Sequence, residues 1–121
     1  MHHTELEAWK QSIDFVAKIY EITRDFPKNE TYGLASQMQR ASVSIPSNIA
    51  EGCARTSAKE TSRFLDIAIG SIAEVETQLI IANRLGYIKD LNNILEIHSK
   101  IKALILGLKR QVEKSSYLLT D

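Results

Sequence analysis

Apolar residues recur along the 121-residue chain at spacings of three and four in four separate segments. That is the period of a helix with one buried stripe, and no segment sustains the period of two that a half-buried strand requires. In the first segment, about residues 5–25, the stripe is Leu6, Trp9, Ile13, Val16 and Tyr20. Thr4 and Glu7 have capping-box spacing ahead of it. Phe26–Pro27 ends it, because a residue before proline is pushed out of the α region. In the second segment, about residues 31–55, Leu34, Met38, Ala41, Ile45 and Ile49 repeat. Pro46 lies inside it, where it removes a backbone donor and crowds the carbonyl of Ser42. That predicts a kink or short break near Ser42–Pro46, with Ser42, Ser44 and Ser47 available to satisfy freed backbone groups.

The third segment, about residues 58–85, carries Leu65, Ala68, Ile72, Val75, Leu79 and Ala82, a heptad seam. Ser57 with Glu60 forms a second capping-box pattern at its start, and Gly86 stops it. Asp90 or Leu91 opens the fourth segment, about residues 91–115, with Ile94, Ile97, Ile101, Leu104, Leu108 and Val112 in register. Residues 116–121 read as a loose tail. Short links between long helices make neighbours antiparallel. The expectation is an all-α fold of one domain over residues 1–121, an antiparallel up-and-down four-helix bundle.

The third segment has a second apolar side. On a helical wheel Ile67, Ile81 and Leu85 fall opposite Leu65, Ile72 and Leu79, with Glu74 on the same line and Gly70 beside it. A helix apolar on two sides is buried on two sides, so this face predicts self-association. A Glu74 buried in such a contact needs a cationic or hydrogen-bonding partner.

Composition is that of an ordinary globular domain, 44% apolar and 25% charged, with 15 basic and 15 acidic residues. Net charge therefore gives no argument for a nucleic-acid partner, but its distribution does. Arg40, Arg55, Lys59 and Arg63 form one basic region. Lys100, Lys102, Lys109, Arg110 and Lys114 form another. Arg55, Lys59 and Arg63 are spaced by four along one side of a helix start. A symmetric oligomer multiplies such a patch into a ring that suits phosphates. A solvated helical face with intrahelical ion pairs is the plainer reading of the same charges.

Groups for catalysis are scarce. The five glycines are isolated, so there is no phosphate loop. His2 and His3 lack further metal ligands, and Cys53 and His98 stand alone in different segments. Ser44 has no base beside it, and Cys53 reads as a small buried hydrophobe. The expectation is a non-enzymatic protein without a metal or cofactor. One cysteine, a polar N-terminus and apolar runs of only a few residues point to the cytoplasm and away from membranes.

Residues 31–55 read TYGLASQMQRASVSIPSNIAEGCAR. Tyr32–Gly33–Leu34, Gln37, Arg40, Ala41, Ser44–Ile45–Pro46, Asn48–Ile49 and Glu51–Gly52 resemble the signature of the four-helix-bundle proteins encoded by intervening sequences of bacterial 23S rRNA genes. Phe26–Pro27 with Glu30, Phe64–Leu65 with Ala68, Gly70–Ser71, Glu74 and Leu85–Gly86–Tyr87 extend the resemblance over residues 6 to about 114. It implies a homopentameric barrel, with Asn48, Glu51 and Gly52 setting the turn between the second and third helices. It also implies kinship with the accessory variability determinant of diversity-generating retroelements, a similar pentamer that works with a reverse transcriptase and binds nucleic acid. Two functions follow as expectations. One is binding of structured RNA or DNA through Arg40, Arg55, Lys59, Arg63, Lys102, Lys109 and Arg110. The other is a protein–protein scaffold that touches no nucleic acid. In both, copies meet through Ile67, Gly70, Glu74, Ile81 and Leu85.

Overall fold

The structure, a computed structural model, describes residues 2–120, and side chains as far as Ser115. Four helices account for most of the chain: α1 Glu7–Arg24, α2 Leu34–Cys53, α3 Ala58–Arg84 and α4 Leu91–Thr120. Short 3-10 turns occupy His3–Glu5 and Lys28–Glu30, and no strand occurs among the described residues. Each helix packs on its chain neighbours. The α2–α3 contact is the most extensive, and α4 closes lightly onto α1. The result is the expected four-helix bundle.

The α3 seam is buried along its whole length: Leu65, Ala68, Ile72, Val75, Leu79 and Ala82 are at most 1% exposed. Met38, Ile45 and Ile49 of α2 and Ile101 and Ile105 of α4 meet it in the core. On α4 the deepest line is Ile94, His98, Ile101 and Ile105, turned slightly from the expected one. His98 is admitted because its Nε2 lies 2.8 Å from the Ile72 carbonyl oxygen. Since that oxygen only accepts, Nε2 carries the proton.

The first helix corrects the expected stripe. Its buried residues are Ala8, Ser12, Phe15, Ile19 and Thr23, whereas Ile13 and Tyr20 are exposed and Leu6, Trp9 and Val16 lie on the flank. The reason is chemical. Ser12 Oγ donates to the Ala8 carbonyl at 2.6 Å and Thr23 Oγ1 to that of Ile19 at 2.8 Å. Hydroxyls satisfied by their own helix can be buried, so a purely apolar pattern misses them.

Helix ends follow local chemistry. Ser57 Oγ accepts the Glu60 N–H at 3.2 Å, as its capping pattern requires. Asp90 Oδ1 accepts the Asn93 N–H in the same way ahead of α4. Gly86 has φ +84°, and the Tyr87 N–H reaches back to the Ala82 carbonyl at 2.9 Å, a Schellman ending for α3. The Thr4–Glu7 box does not form; α1 begins after Leu6, and Thr4 bonds to His2 instead. The Pro46 break is absent too, since α2 is continuous from Leu34 to Cys53. Pro46 is buried on the core side, and Ser42 Oγ bonds to the Gln39 carbonyl just before it. The backbone of α4 continues to Thr120 rather than stopping near residue 115. The side chains of the expected tail, 116–121, lie outside the described residues.

Candidate functional site

The signature residues of α2 build the seam between α2 and α3. Ser44 Oγ lies 2.7 Å from Ser71 Oγ, which ties the two helices together at mid-height. Asn48 Nδ2 donates to both the carbonyl and the hydroxyl of Ser44, at 2.8 and 2.9 Å. Asn48 thus bonds back along α2 and holds the Ser44 side chain that reaches Ser71 of α3. Glu51 likewise bonds locally, to Arg55 at 3.4 Å. Gly52 acts near the turn. A Cβ there would lie 3.2 Å from both Phe64 Cβ and the Thr61 carbonyl oxygen, and Thr61 Oγ1 donates to the Gly52 carbonyl at 2.8 Å. Glycine lets the first turns of α3 close onto the end of α2.

The basic residues divide. Lys59 and Arg63, from the first two turns of α3, share a shallow concavity of about 320 Å³ with Ser62, Asp66 and Glu113. Lys109 of α4 pairs with two of these lining carboxylates, 3.0 Å from Asp66 and 3.2 Å from Glu113. Those two carboxylates, Asp66 first, hold its ammonium group above the ordinary lysine pKa. Arg63 pairs with Glu60 at 3.8 Å. Arg55 pairs with Glu51 and lies over the Phe64 ring, 4.8 Å from its centroid. Lys102 and Arg110 are exposed on α4. Arg40 stands apart on the outside of α2, in a concavity of about 450 Å³ with Tyr20, Ser36, Gln39, Val43 and Ser44. The basic set is thus one mixed-charge cluster at the α3–α4 side, plus isolated groups. The interleaved carboxylates weaken the field such a cluster presents to a phosphate.

The expected contact face is open in the single chain. Ile67, Ile81 and Leu85 are 43%, 44% and 53% exposed, and Glu74 lies exposed among them with Gly70 beside it. A Cβ on Gly70 would meet nothing within 4 Å. Glu74 makes one contact, an amide donation from Gln78 Nε2 at 3.4 Å. Gln78 Oε1 is buried with no hydrogen-bond partner. Ile13 and Tyr20 of α1, Val43 of α2 and Ile80 of α3 add further exposed apolar surface, and Tyr32 stands 97% exposed in the α1–α2 connection.

Sequence reasoning did not assign a role to Glu30. Its carboxylate accepts the Leu34 N–H at 3.2 Å and the Tyr87 hydroxyl at 3.1 Å, so it ties the α1–α2 connection to the α3–α4 connection. The hydrogen bond to Glu30, with desolvation and the carboxylate charge adding to it, raises the Tyr87 pKa. Burial raises that of the Cys53 thiol, which suits a packing role. No group of three or more His, Cys, Asp or Glu suited to a metal ion occurs among the described residues. Nor is any helix among them long and apolar enough to cross a membrane.

The fold has a solved counterpart. The chain is similar to a protein of unknown function from the S23 ribosomal protein family of Bacteroides thetaiotaomicron VPI-5482, known from its crystal structure. The TM-score is 0.78 at 22% identity over 85% of this chain and 95% of that one. At that identity the likeness concerns the fold. No curated protein matches the chain. The model of the 23S rRNA-intervening sequence proteins matches residues 4–115, and with the seam built from the signature residues this places the chain: it belongs to the 23S rRNA-intervening sequence protein family.

Proposed function

We propose that the protein is a non-catalytic, self-assembling helical module whose assembled form binds structured RNA or DNA phosphates. The observation that carries assembly is the outer side of α3. Ile67, Ile81 and Leu85 are about half exposed on a helix whose opposite side is sealed. Burying the exposed half of such side chains stabilises an interface by roughly 1 kcal/mol each. A ring of five is what the family resemblance implies. In a ring, the Lys59–Arg63–Lys109 cluster recurs once per copy, which offsets the weakness of a single mixed-charge patch. Contacts are to phosphate, so binding is poorly sequence-specific and steeply salt-dependent.

A scaffold that docks another protein and no nucleic acid is the second reading. The ion pairs of Arg55, Arg63 and Lys109 favour it, because each has a carboxylate partner within the chain. Fluorescence anisotropy with a structured RNA, alongside light scattering, separates the two. Three phosphate contacts weaken binding by roughly 40-fold when salt rises fourfold. Binding with such a slope, lost in Lys59→Glu/Arg63→Glu, supports the first reading. Assembly without binding at low salt supports the second. A single chain at every concentration refutes both.

A further inference from the structure

Assembly leaves one question of chemistry: what answers Glu74. We infer that Arg40 of a second copy of this chain pairs with Glu74, and that the α1–α2 outer surface around Arg40 is the counterpart of the α3 outer face. The inference rests on the assembly reading and names the two patches that meet.

Neither group has an ion-pair partner among the described residues. Arg40 shares its concavity with Tyr20 and Val43 as well as Ser36, Gln39 and Ser44, and Glu74 lies between Ile67 and Ile81, seven residues from each along the same face. A cation without an ion pair on one surface and an anion without one on another are complementary, and each is costly to bury unless it meets the other. Among the described residues Glu74 accepts one hydrogen bond, from Gln78 Nε2, so its exposed carboxylate keeps acceptor capacity for a further donor. An arginine brings five N–H donors in a planar fork.

Register brings the patches to one height. The Ser44–Ser71 hydrogen bond aligns α2 with antiparallel α3. Arg40 lies one turn before Ser44, and Glu74 three residues beyond Ser71, so both stand at the same level of the bundle. Copies rotated about an axis parallel to the helices keep their levels, and a closed ring joins two different patches of each copy. Equal height lets Arg40 of one copy reach Glu74 of the next where these are the two patches that meet. The Gln39–Thr23 bond at 3.0 Å sets Tyr20 within a turn of this level. Gly70 also lies within about a turn of it, with open space where a side chain would be. An aromatic side chain on one copy thus faces a stretch of bare backbone on the next.

The test uses the full chain and its mass in solution by light scattering, with circular dichroism to verify that each variant is folded. Arg40→Glu and Glu74→Arg each place like charges in contact, and each is expected to raise the concentration needed for assembly by about tenfold or more. In an equimolar mixture association recovers in part, because wherever unlike copies meet the carboxylate introduced in one faces the guanidinium introduced in the other, while a ring of five keeps at least one contact between like copies. A pair formed within one chain gives no such rescue. Wild-type assembly that survives either variant, or a mixture that stays dissociated, overturns this pairing while leaving self-assembly standing. A wild-type chain that never assembles overturns the reading on which the pairing rests.

Discussion

Replacing Gly52 tests the packing that defines the α2–α3 seam. In an exposed helix interior, Gly→Ala stabilises by about 1 kcal/mol through helix propensity. At Gly52 the new methyl arrives 3.2 Å from Phe64 Cβ and from the Thr61 carbonyl oxygen, closer than an ordinary contact. Phe64 Cβ and a helix carbonyl cannot swing aside as a side-chain tip can. Overfilling of this kind costs about 1–3 kcal/mol. The two effects nearly offset for alanine, giving a net loss of about 0–2 kcal/mol. Valine loses part of the propensity gain and adds two branches beside α3, so Gly52→Val is expected to lose about 2–4 kcal/mol. For a chain of this length that is a fall of roughly 8–16 °C in Tm. Gly70→Ala is the matched control, since its Cβ would meet nothing within 4 Å. At concentrations low enough to dissociate any assembly it gains up to about 1 kcal/mol. Urea unfolding followed by circular dichroism at one fixed protein concentration measures all three. Stabilisation by both Gly52 variants would refute the close approach of α3 to the end of α2.

Other perturbations probe the remaining parts. A double-mutant cycle on Ser44→Ala and Ser71→Ala is expected to show a coupling of about 0.5–1.5 kcal/mol, and additivity of the two would mean the 2.7 Å contact does not persist in solution. Leu79→Ala, at a fully buried position of the α3 seam, is expected to lose about 2–5 kcal/mol in the same unfolding assay; a loss below about 1 kcal/mol would place Leu79 outside the core. Tyr87 has a raised pKa in the folded chain, so the neutral phenol favoured by its Glu30 bond is fully present below the ordinary tyrosine value. That contribution is lost as pH rises through the raised value. Ultraviolet titration should show a late-ionising tyrosine that Tyr87→Phe removes, and an unchanged titration curve would contradict the bond.

Periodicity made the bundle legible where apolar residues alone fill the core. Leu65, Ala68, Ile72, Val75, Leu79 and Ala82 were readable as one seam because no polar residue interrupts it. It failed on α1, where two stripes compete and the buried one includes Ser12 and Thr23. Their hydroxyls bond within the helix, and no hydrophobicity pattern records that. Pro46 was legible as a residue inside the second helix, and α2 runs from Leu34 to Cys53 through it with Pro46 buried. The outer side of α3 was readable from Ile67, Ile81 and Leu85 because they are apolar without a place in the seam. The basic residues were readable along the chain but not as a site. Charge counts cannot reveal that Asp66 and Glu113 come from different helices to enclose Lys109. Glu30 was equally hidden, because its partners Leu34 and Tyr87 meet only when the two connections come together.

The most direct measurement is the mass of the intact protein by sedimentation equilibrium across a wide concentration range, for the wild type and for Ile81→Arg. A multiple of the 13.6 kDa chain mass for the wild type, reduced to a single chain by the substitution, is the expected result. A wild-type protein that stays at 13.6 kDa at every concentration, with its α3 isoleucines in water, would contradict it.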